Sequence, residues 1–583
     1  MKPTKTRAYP AYGLATLIAL SVALPAGGAY AQAINQFLRD REAEIEGARP
    51  LDQPAPIEVP RTSVVAPPGS EDVALNLQSI QLVGRDGGPL RDDGRLPIPS
   101  LQQVYEPRLG QEMSLADVYG IARDIEITLK RQGFVFTRVV VPRQEIDQAA
   151  AQINILVLGV TVEAVVIEEP REPIGPVRAL VEDIVAPLNG LSNPRIEDLE
   201  RASLLVTDIP GITRATFVPS AGSSPEQVIL SMNVEREFLQ GVGLISHRDS
   251  PVVGPGVFGG VGYLNSYTSF GATTEVSYFN SWSFDDDFPD FDERNTVQVT
   301  QRGYLPTGTE LRATGLYSRS APGDFLNVLD AKGDQFGFEL AAEHPLFRSR
   351  EFSFWINGGF DWFDSDLEVP GTTGPLIDDH IRTLFLGARG SFADPYGVTL
   401  ANIEFRQGID VFGASKSSDL ATSRVGASPD FFIAKGELLR DQPIYRQIGA
   451  RVRMGWQWSP DALLSNEAFV LGGTRFLRGY DPSEVLGDSG FAVDAELRFS
   501  DSFLAIGRQF DYEFYAFGDY GVAFLSETTG SSSIDLVSAG AGTRFLIPNG
   551  PQIELELAYP IDDPLLRTGD NPLRVFGSLV WFF

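Results

Sequence analysis

The side chains that could carry chemistry are few and scattered in this chain. It has no cysteine and only three histidines in 583 residues, which removes thiol chemistry and disulfides and disfavours a histidine-rich metal site. No nucleophile, histidine and acid occur at a recognisable catalytic spacing, and no glycine-rich loop has the pattern that cradles phosphates. The sequence therefore predicts a protein that is not an enzyme and that needs no cofactor.

One acidic cluster could hold a cation. Carboxylates are hard oxygen ligands, so calcium binding is conceivable, but the spacing lacks a recognised calcium-loop pattern. A solvated outer loop is therefore the favoured interpretation, with no metal site. The cluster consists of Asp285, Asp286, Asp287, Asp290, Asp292 and Glu293. The whole chain has a formal net charge of −30, which argues against nucleic acid as a partner.

The first residues have the features of an export signal. Positive charges at Lys2, Lys5 and Arg7 precede an apolar run, Leu14–Leu24, and Ala29–Ala31 has the small-x-small pattern of a cleavage site. A membrane anchor is the alternative, but the apolar run is short for one. Residues 1–31 are therefore predicted to be a signal peptide that directs the chain out of the cytoplasm.

A short helix and a linker are predicted next. Residues 32–48 contain a small apolar stripe of Ile34, Phe37 and Leu38 among charged residues. Residues 49–74 are rich in proline and are expected to be extended, so they read as a periplasmic linker. The helix is thus tethered to the remainder of the chain, and it is either a frayed terminus or a functional element.

Two α+β units follow, over residues 75–159 and 160–236. In the first, Ser114 and Asp117 form a capping box ahead of a run of apolar residues at helical spacing, and Gly133 ends that helix. Strand patterns flank the helix on both sides. The second unit repeats the order of strand, helices and two strands, although its sequence does not visibly repeat that of the first.

From residue 237 to 583 the sequence pattern is typical of β-strands. Segments of alternating polarity are separated by turn residues, as in Gln552–Tyr559, where apolar side chains alternate with Glu554 and Glu556. A soluble sandwich and a membrane barrel both show this period. Three features favour the barrel: about 16 strands, connections that are alternately short and long, and an aromatic final strand, Val575–Phe583.

The connections set out the two ends of this predicted barrel. Short turns are expected on the periplasmic side and long loops outside. The predicted short turns are 305–308, 393–396, 441–444 and 547–550, and the predicted long loops are 281–294, 365–379, 408–429 and 460–489. The fold class is therefore mainly β: a 16-stranded antiparallel transmembrane barrel behind two α+β domains.

Several motifs resemble those of a known family. Gln132–Val135 with Val141–Gln144 is similar to a first POTRA domain. Leu199 and Arg201, followed by Pro210 and Gly211, are similar to a second POTRA signature. Leu477, Arg478, Gly479 and Tyr480 resemble a motif of the sixth outer loop, while Phe517, Asp519 and Gly521 resemble a motif of barrel strand 13. The chain thus resembles the two-partner secretion transporters, the haemolysin and filamentous-haemagglutinin exporters of the POTRA-barrel superfamily.

The resemblance implies a function and a set of partners. It implies an outer-membrane pore, with periplasmic N-terminal domains, that exports an unfolded exoprotein without ATP and whose helix 32–48 plugs the resting pore. Outer-membrane lipid and the barrel-assembly machinery are the other expected partners. A buried arginine needs a carboxylate, so Arg478 is predicted to pair with Asp519. The alternatives are an assembly factor of the same superfamily, which inserts other barrels, and a solute porin.

Overall fold

The computed structural model describes residues 64–90, 95–285, 288–323, 329–424, 426–427, 429–527, 530–548, 550–562, 565 and 568–583. The predicted signal peptide, the predicted helix 32–48 with Ile34, Phe37 and Leu38, and most of the linker lie outside this part of the chain. Most side chains of the acidic cluster, residues 285–293, also lie outside it.

The first α+β unit is a mixed sheet covered by two helices. Its elements are β1 (Ala74–Val83), α1 (Ile98–Tyr105), β2 (Glu112–Ser114), α2 (Leu115–Arg131), β3 (Arg138–Val140) and β4 (Ala151–Leu158), and the strand order is β2-β1-β4-β3. The Ser114 hydroxyl accepts a hydrogen bond from the Asp117 backbone N–H at 3.2 Å, and the Asp117 carboxylate accepts one from the Ser114 N–H at 2.8 Å. This is the predicted capping box. Val64 is buried against this core, so ordered structure reaches into the predicted linker.

The second α+β unit has a three-stranded sheet and two helices. Its elements are β5 (Thr161–Glu168), α3 (Arg178–Val185), α4 (Ile196–Thr207), β6 (Ile212–Ala221) and β7 (Gln227–Arg236), in the strand order β5-β7-β6. The central strand, β7, is parallel to β5 and antiparallel to β6. Apolar side chains on α3 and α4 cover one face of the sheet. Among the described residues, no helix is long and apolar enough to cross a membrane.

A closed barrel of 16 antiparallel strands forms the rest of the chain, as predicted. Its first nine neighbouring strands are β8 (Leu239–Ser246), β9 (Gly256–Leu264), β10 (Thr273–Asp285), β11 (Phe288–Tyr304), β12 (Glu310–Ser320), β13 (Lys332–Arg348), β14 (Phe352–Glu368), β15 (Ile377–Asp394) and β16 (Gly397–Gly408). They are followed by β17 (Phe432–Tyr445), β18 (Ile448–Trp458), a small hairpin of β19 (Phe469–Leu471) and β20 (Val485–Gly487), β21 (Ser489–Ala505), β22 (Arg508–Glu527), β23 (Gly530–Leu546), β24 (Gln552–Pro560) and β25 (Arg574–Phe582). Pairing of β25 with β8 closes the cylinder.

Alternation along each barrel strand separates an apolar outside from a polar inside. On β24, Leu555 and Leu557 are 53% and 47% exposed, while Glu556 between them is 2% exposed. The apolar side therefore faces outward over the barrel wall and the charged side faces the lumen, which is the arrangement a lipid-embedded barrel requires. A sandwich with a dry interior, the alternative left open by the period, is excluded by the closed strand order.

Several connections differ from those predicted. The hairpin of β10 and β11 continues through most of the predicted loop 281–294, and the predicted loop 365–379 shortens to 369–376 because β14 and β15 run further. The predicted turn 441–444 lies within β17, and the real turn is 446–447. Cross-strand backbone pairing continues through these segments, so polar residues and Pro443 lie within strands.

Candidate functional site: an outer loop fixed inside the barrel

The loop between β18 and β21, residues 459–488, folds back into the barrel. It is the sixth outer connection and it carries the predicted motif Leu477–Tyr480. Leu477 and Tyr480 are 0% and 1% exposed, because both side chains pack against inward residues of the barrel wall. Leu477 has a positive φ of 60°, and Gly472 and Gly473 have φ values of 101° and 122°, so the backbone turns sharply where the loop approaches the wall. We call this segment loop 6.

Arg478 lies at the centre of a buried ion cluster on the barrel wall. Its backbone N–H donates to the Asp519 carboxylate at 2.8 Å, and its guanidinium donates to the same carboxylate at 3.1 Å. The guanidinium also pairs with Asp494, with Glu496 at 3.0 Å and, more distantly, with Glu556 at 3.5 Å. The predicted contact between Arg478 and Asp519 is thus present, but the structure places three further carboxylates around the same cation.

Aromatic and aliphatic contacts support the ion cluster. The Arg478 guanidinium lies 3.5 Å from the centroid of the Phe517 ring, a cation–π contact on the same strand as Asp519. A Cβ at Gly521 would lie 2.9 Å from the Leu477 side chain, so the absence of a side chain there makes room for the loop. The three predicted positions of β22 therefore hold loop 6 by stacking, charge and space respectively.

Gly479 and Tyr480 extend this contact to the neighbouring strands. A Cβ on Gly479 would approach the backbone of Tyr559 to 2.8 Å, so any larger residue would push the loop off the wall. The Tyr480 hydroxyl donates to the Val537 carbonyl on β23 at 3.2 Å. The tip of loop 6 is thereby bonded to β21, β22, β23 and β24 together.

Further arginines balance the acidic wall. Arg544 pairs with Glu496 at 3.0 Å, and Arg248 pairs with Glu556 at 2.6 Å. Without them, Arg478 alone would face an excess of negative charge, and buried charges are tolerated only when each is paired and hydrogen-bonded. The alternating polarity of β21 and β24 placed Glu496 and Glu556 in the lumen, but nothing in the sequence indicated that they meet Arg478.

A second buried ion cluster holds the other half of loop 6, and the sequence analysis missed it. Glu467 lies on a short 3₁₀ helix, Ser465–Glu467, and forms a bidentate pair with Arg406 of β16 at 2.9 and 3.0 Å. Arg406 also pairs with Asp361 at 2.8 Å and with Glu404 at 3.3 Å. Arginine and glutamate 61 residues apart leave no local signal, so only the assembled barrel identifies this pair.

Apolar side chains of loop 6 pack against the opposite wall in one part of the lumen, while a polar-lined cavity remains beside the second ion cluster. Leu463 and Leu464, at 0% and 1% exposure, pack in one cluster with inward side chains of β8, β9, β10, β12, β14, β15, β17 and β25. Phe431, which precedes β17, belongs to the same cluster. Loop 6 therefore reaches from the wall of β16 to the wall of β21–β24, and its described residues obstruct the lumen.

The predicted second POTRA motif forms the junction with the barrel. Leu199 is fully buried in the core of the second α+β unit. Arg201 donates to the Pro345 carbonyl at 3.4 Å, and the Pro210 carbonyl accepts from the Ser266 hydroxyl at 2.5 Å. Gly211 has a φ of 83°, and a Cβ there would clash with Asn265. The motif thus fits the unit tightly against barrel turns.

Candidate metal ligands are not assembled in the described part of the chain. No group of three or more histidine, aspartate or glutamate side chains there has the geometry to hold a metal ion. The buried carboxylates of the two ion clusters are occupied by arginines instead.

Comparisons with known proteins agree with this architecture. The family model "Haemolysin secretion/activation protein ShlB/FhaC/HecB" matches residues 310–545, and a model for the ShlB-type POTRA domain matches residues 78–157. The heme/hemopexin transporter protein HuxB of Haemophilus influenzae is 20% identical over 513 residues, which are 85% of each chain. Among solved structures, CdiB from Escherichia coli superposes with a TM-score of 0.71 at 18% identity, covering 95% of this chain and 98% of that one. CdiB from Acinetobacter baumannii gives 0.62 at 15% identity, covering 96% and 99%.

The fold and the buried loop define an outer-membrane barrel with POTRA-type domains in the periplasm. Within this class, the chain belongs to the haemolysin secretion/activation family, the outer-membrane transporters of two-partner secretion. Its function is to translocate a partner exoprotein across the outer membrane. The family is one of transporters, which agrees with the sequence-based prediction that the chain does not act as an enzyme.

Proposed function

We propose that this transporter passes its partner exoprotein in unfolded form and without ATP, with loop 6 as an internal gate. The observation that carries the proposal is the burial of Arg478, 6% exposed, among carboxylates of three barrel strands. A loop held this way obstructs the lumen and can leave it only as a unit. Opening of the pore is then the exchange of one set of ion pairs for another, or for water.

The energy for transport comes from the exoprotein itself in this proposal. The periplasm offers no ATP, so a chain threaded outward is retained because it folds at the cell surface and cannot slide back. Unfolded substrate is proposed because a barrel of 16 strands leaves an aqueous channel that an extended chain can thread once loop 6 is withdrawn. A solute porin is the less favoured alternative, because it would leave the two α+β units without a role.

Docking is assigned to the two POTRA-type domains. The sheet of the second unit has two edge strands, β5 and β6, of eight and ten residues, and hydrogen bonds from residues 189–193 cover part of the β5 edge. Val166 and Val218 on these strands are 43% and 46% exposed. An extended peptide can add to such an edge through backbone hydrogen bonds while apolar side chains pack alongside. The edge of β6 is the longer, so we assign the first contact to it.

The helix predicted over residues 32–48 is proposed to plug the resting pore with Ile34, Phe37 and Leu38. Insertion of the barrel into lipid is assigned to the barrel-assembly machinery, which would read the aromatic C-terminal strand. Deletion of residues 33–47 tests the plug: a rise in the fraction of open channels in planar bilayers is expected. Unchanged conductance would show that the helix does not plug the pore, and loop 6 would then be the obstruction.

The gate is tested by releasing Arg478. Exchange of Arg478 with Asp519 is a poor test, because the new aspartate would still face Asp494, Glu496 and Glu556. Arg478→Ala is cleaner, with Arg319→Ala on the exposed outer end of β12 as the matched control. Arg478→Ala should raise conductance and reduce export of the exoprotein from intact cells, while Arg319→Ala should do neither. Normal conductance and export in Arg478→Ala would refute the gate.

A further inference from the structure

The hairpin of β21 and β22 projects beyond the periplasmic rim of the barrel. Pairing of β21 with β18 ends at Phe499, and pairing of β22 with β23 ends at Asp511. Six further pairs, from Ser500 with Glu513 to Ala505 with Arg508, join these two strands, but the first three include residues of β22 that also pair with β23. The outer three pairs extend past both neighbouring strands, over about 10 Å at roughly 3.4 Å per residue. Within the described part of the chain, residues 501–510 pair with no third strand. We call residues 500–511 the projecting hairpin.

The projecting hairpin exposes apolar side chains on both faces, among polar residues such as Asp501, Gln509 and Asp511. Phe503 stacks on Phe510, with ring centroids 5.4 Å apart, on the face that continues the outer wall. Leu504 is on the opposite face, in the row that continues the lumen-facing residues Glu496 and Arg498, and it is 78% exposed. Ile506 at the tip is 94% exposed. Such open, apolar edges are usually blunted in proteins because they attract other strands.

The position of the projecting hairpin around the barrel is informative. The second α+β unit contacts the periplasmic turns of three hairpins: Ser266 between β9 and β10, Gly308 between β11 and β12, and Arg348 at the end of β13. The middle one of these turns and the turn of β21 and β22 are eight strands apart in a barrel of 16. The projecting hairpin therefore stands directly across the periplasmic mouth from the second α+β unit, and a chain that enters the pore passes between them.

We propose that the projecting hairpin is a second docking surface for the exoprotein, taking an extended segment with alternating apolar residues by strand addition and by contact with Leu504 and Ile506. The inference rests on the proposed transport of an unfolded chain. Two observations favour a polypeptide over lipid: the backbone edges are open, and Leu504 faces the axis of the pore. Lipid can cover the aromatic face but supplies no backbone partner for the edge and does not reach the lumen side.

A single-cysteine experiment tests this surface directly, since the chain has no cysteine of its own. The full chain with Ile506→Cys carries a polarity-sensitive dye and is titrated with a 12-residue peptide of alternating valine and threonine. A saturable blue shift is expected. A peptide of equal composition with two central prolines should give none. Adding Leu504→Asp should weaken binding by about tenfold, the effect of losing one buried leucine, whereas Tyr396→Asp on another exposed turn should leave it unchanged.

Two results would overturn the proposal. Equal responses to both peptides would show that binding does not occur by strand addition. Quenching of the dye by brominated phospholipid in proteoliposomes, with no peptide response, would show that the hairpin contacts the membrane instead. Export from intact cells separates this inference from the broader one. If the unmodified chain exports the exoprotein and Leu504→Asp exports it equally, the docking surface fails alone; if the unmodified chain exports none, the proposed function fails.

Discussion

Loop 6 is held at two places by clusters of opposite polarity. At its tip, the loop supplies the cation: Arg478 enters a wall of four carboxylates. Eleven positions earlier the loop supplies the anion: Glu467 enters a site built around Arg406 of the wall. The first cluster adds a backbone hydrogen bond and a ring stack, and the second adds a hydrogen bond from Gln457 to the Glu467 carbonyl.

This difference indicates how the loop can be specific and still be released. A uniformly charged loop would bind many positions of a lumen that carries both signs. A loop with a cation at one end and an anion at the other matches the wall in one register only, because a shift places like charges together. Each cluster also contains wall residues of both charges. When the loop leaves, these wall residues can still pair with one another and with water.

Removal of the cation at the tip of loop 6 should have the strongest effect. Arg478→Ala leaves a buried group of carboxylates short of one cation, a change that costs roughly 3–5 kcal/mol. We expect loop 6 to leave the wall, open-channel conductance to rise and the unfolding midpoint in urea to fall. Arg319→Ala provides the reference for removal of an exposed arginine. Retention of the closed, stable barrel in Arg478→Ala would show that the tip cluster is dispensable.

The second cluster should respond less. Glu467→Gln keeps the shape of the side chain but replaces a charged hydrogen-bond acceptor on Arg406, and Asp361 and Glu404 still neutralise that arginine. A loss of about 1–3 kcal/mol is therefore expected, with a smaller increase in conductance than for Arg478→Ala. Glu404→Gln is the matched control, since it neutralises a wall partner of Arg406 that does not belong to the loop. Equal conductance changes in the two variants would show that the Glu467–Arg406 pair does not hold loop 6.

The ring stack at the tip can be separated from the charges. Phe517→Leu removes the aromatic face beneath Arg478 but preserves an apolar side chain and every carboxylate. The cation–π contact is worth about 1–2 kcal/mol at a desolvated site, so a lower urea midpoint with a small increase in channel opening is predicted. Phe514→Leu on the same strand faces outward and should leave channel opening unchanged. Equal channel opening in the two variants would show that the Phe517 ring does not help to hold loop 6.

A variant in the first α+β unit should lower stability without affecting loop 6, and its effect should be the weakest of the four. Ser114→Ala removes the helix cap of the first α+β unit and should cost about 1 kcal/mol, with unaltered conductance. Hydrogen bonds from Ser114 lower the pKa of Asp117 in the folded chain. The stabilisation is therefore present above the ordinary pKa of an aspartate and disappears as the pH falls through the lowered value. The difference in urea midpoint between Ser114→Ala and the unmodified chain should narrow in acid without vanishing, because the Ser114 hydroxyl still accepts from the Asp117 N–H when the carboxylate is protonated. A difference that did not change with pH would contradict the hydrogen bond between the Ser114 hydroxyl and the Asp117 carboxylate.

Much of the architecture was predictable because it follows local rules. Alternation of polarity gave the strands of the barrel, the capping box gave the first residue of α2, and turn residues gave most of the short connections. Motif similarity placed Arg478 in the sixth loop and Asp519 on strand 13, and both positions agree with the structure. Strand ends were harder: β10, β11 and β17 continue through polar residues or Pro443, where backbone pairing outweighs side-chain preference.

Local patterns along the chain were enough to predict the class of fold, the inward and outward faces of the strands and the residue that leads loop 6 into the lumen. The folded barrel was needed to see that Arg478 meets four carboxylates, that Glu467 meets Arg406, and that the projecting hairpin stands opposite the second α+β unit. The reason is physical: period and turn chemistry act over a few neighbouring residues, whereas ion pairing depends on which distant strands closure of the barrel brings face to face.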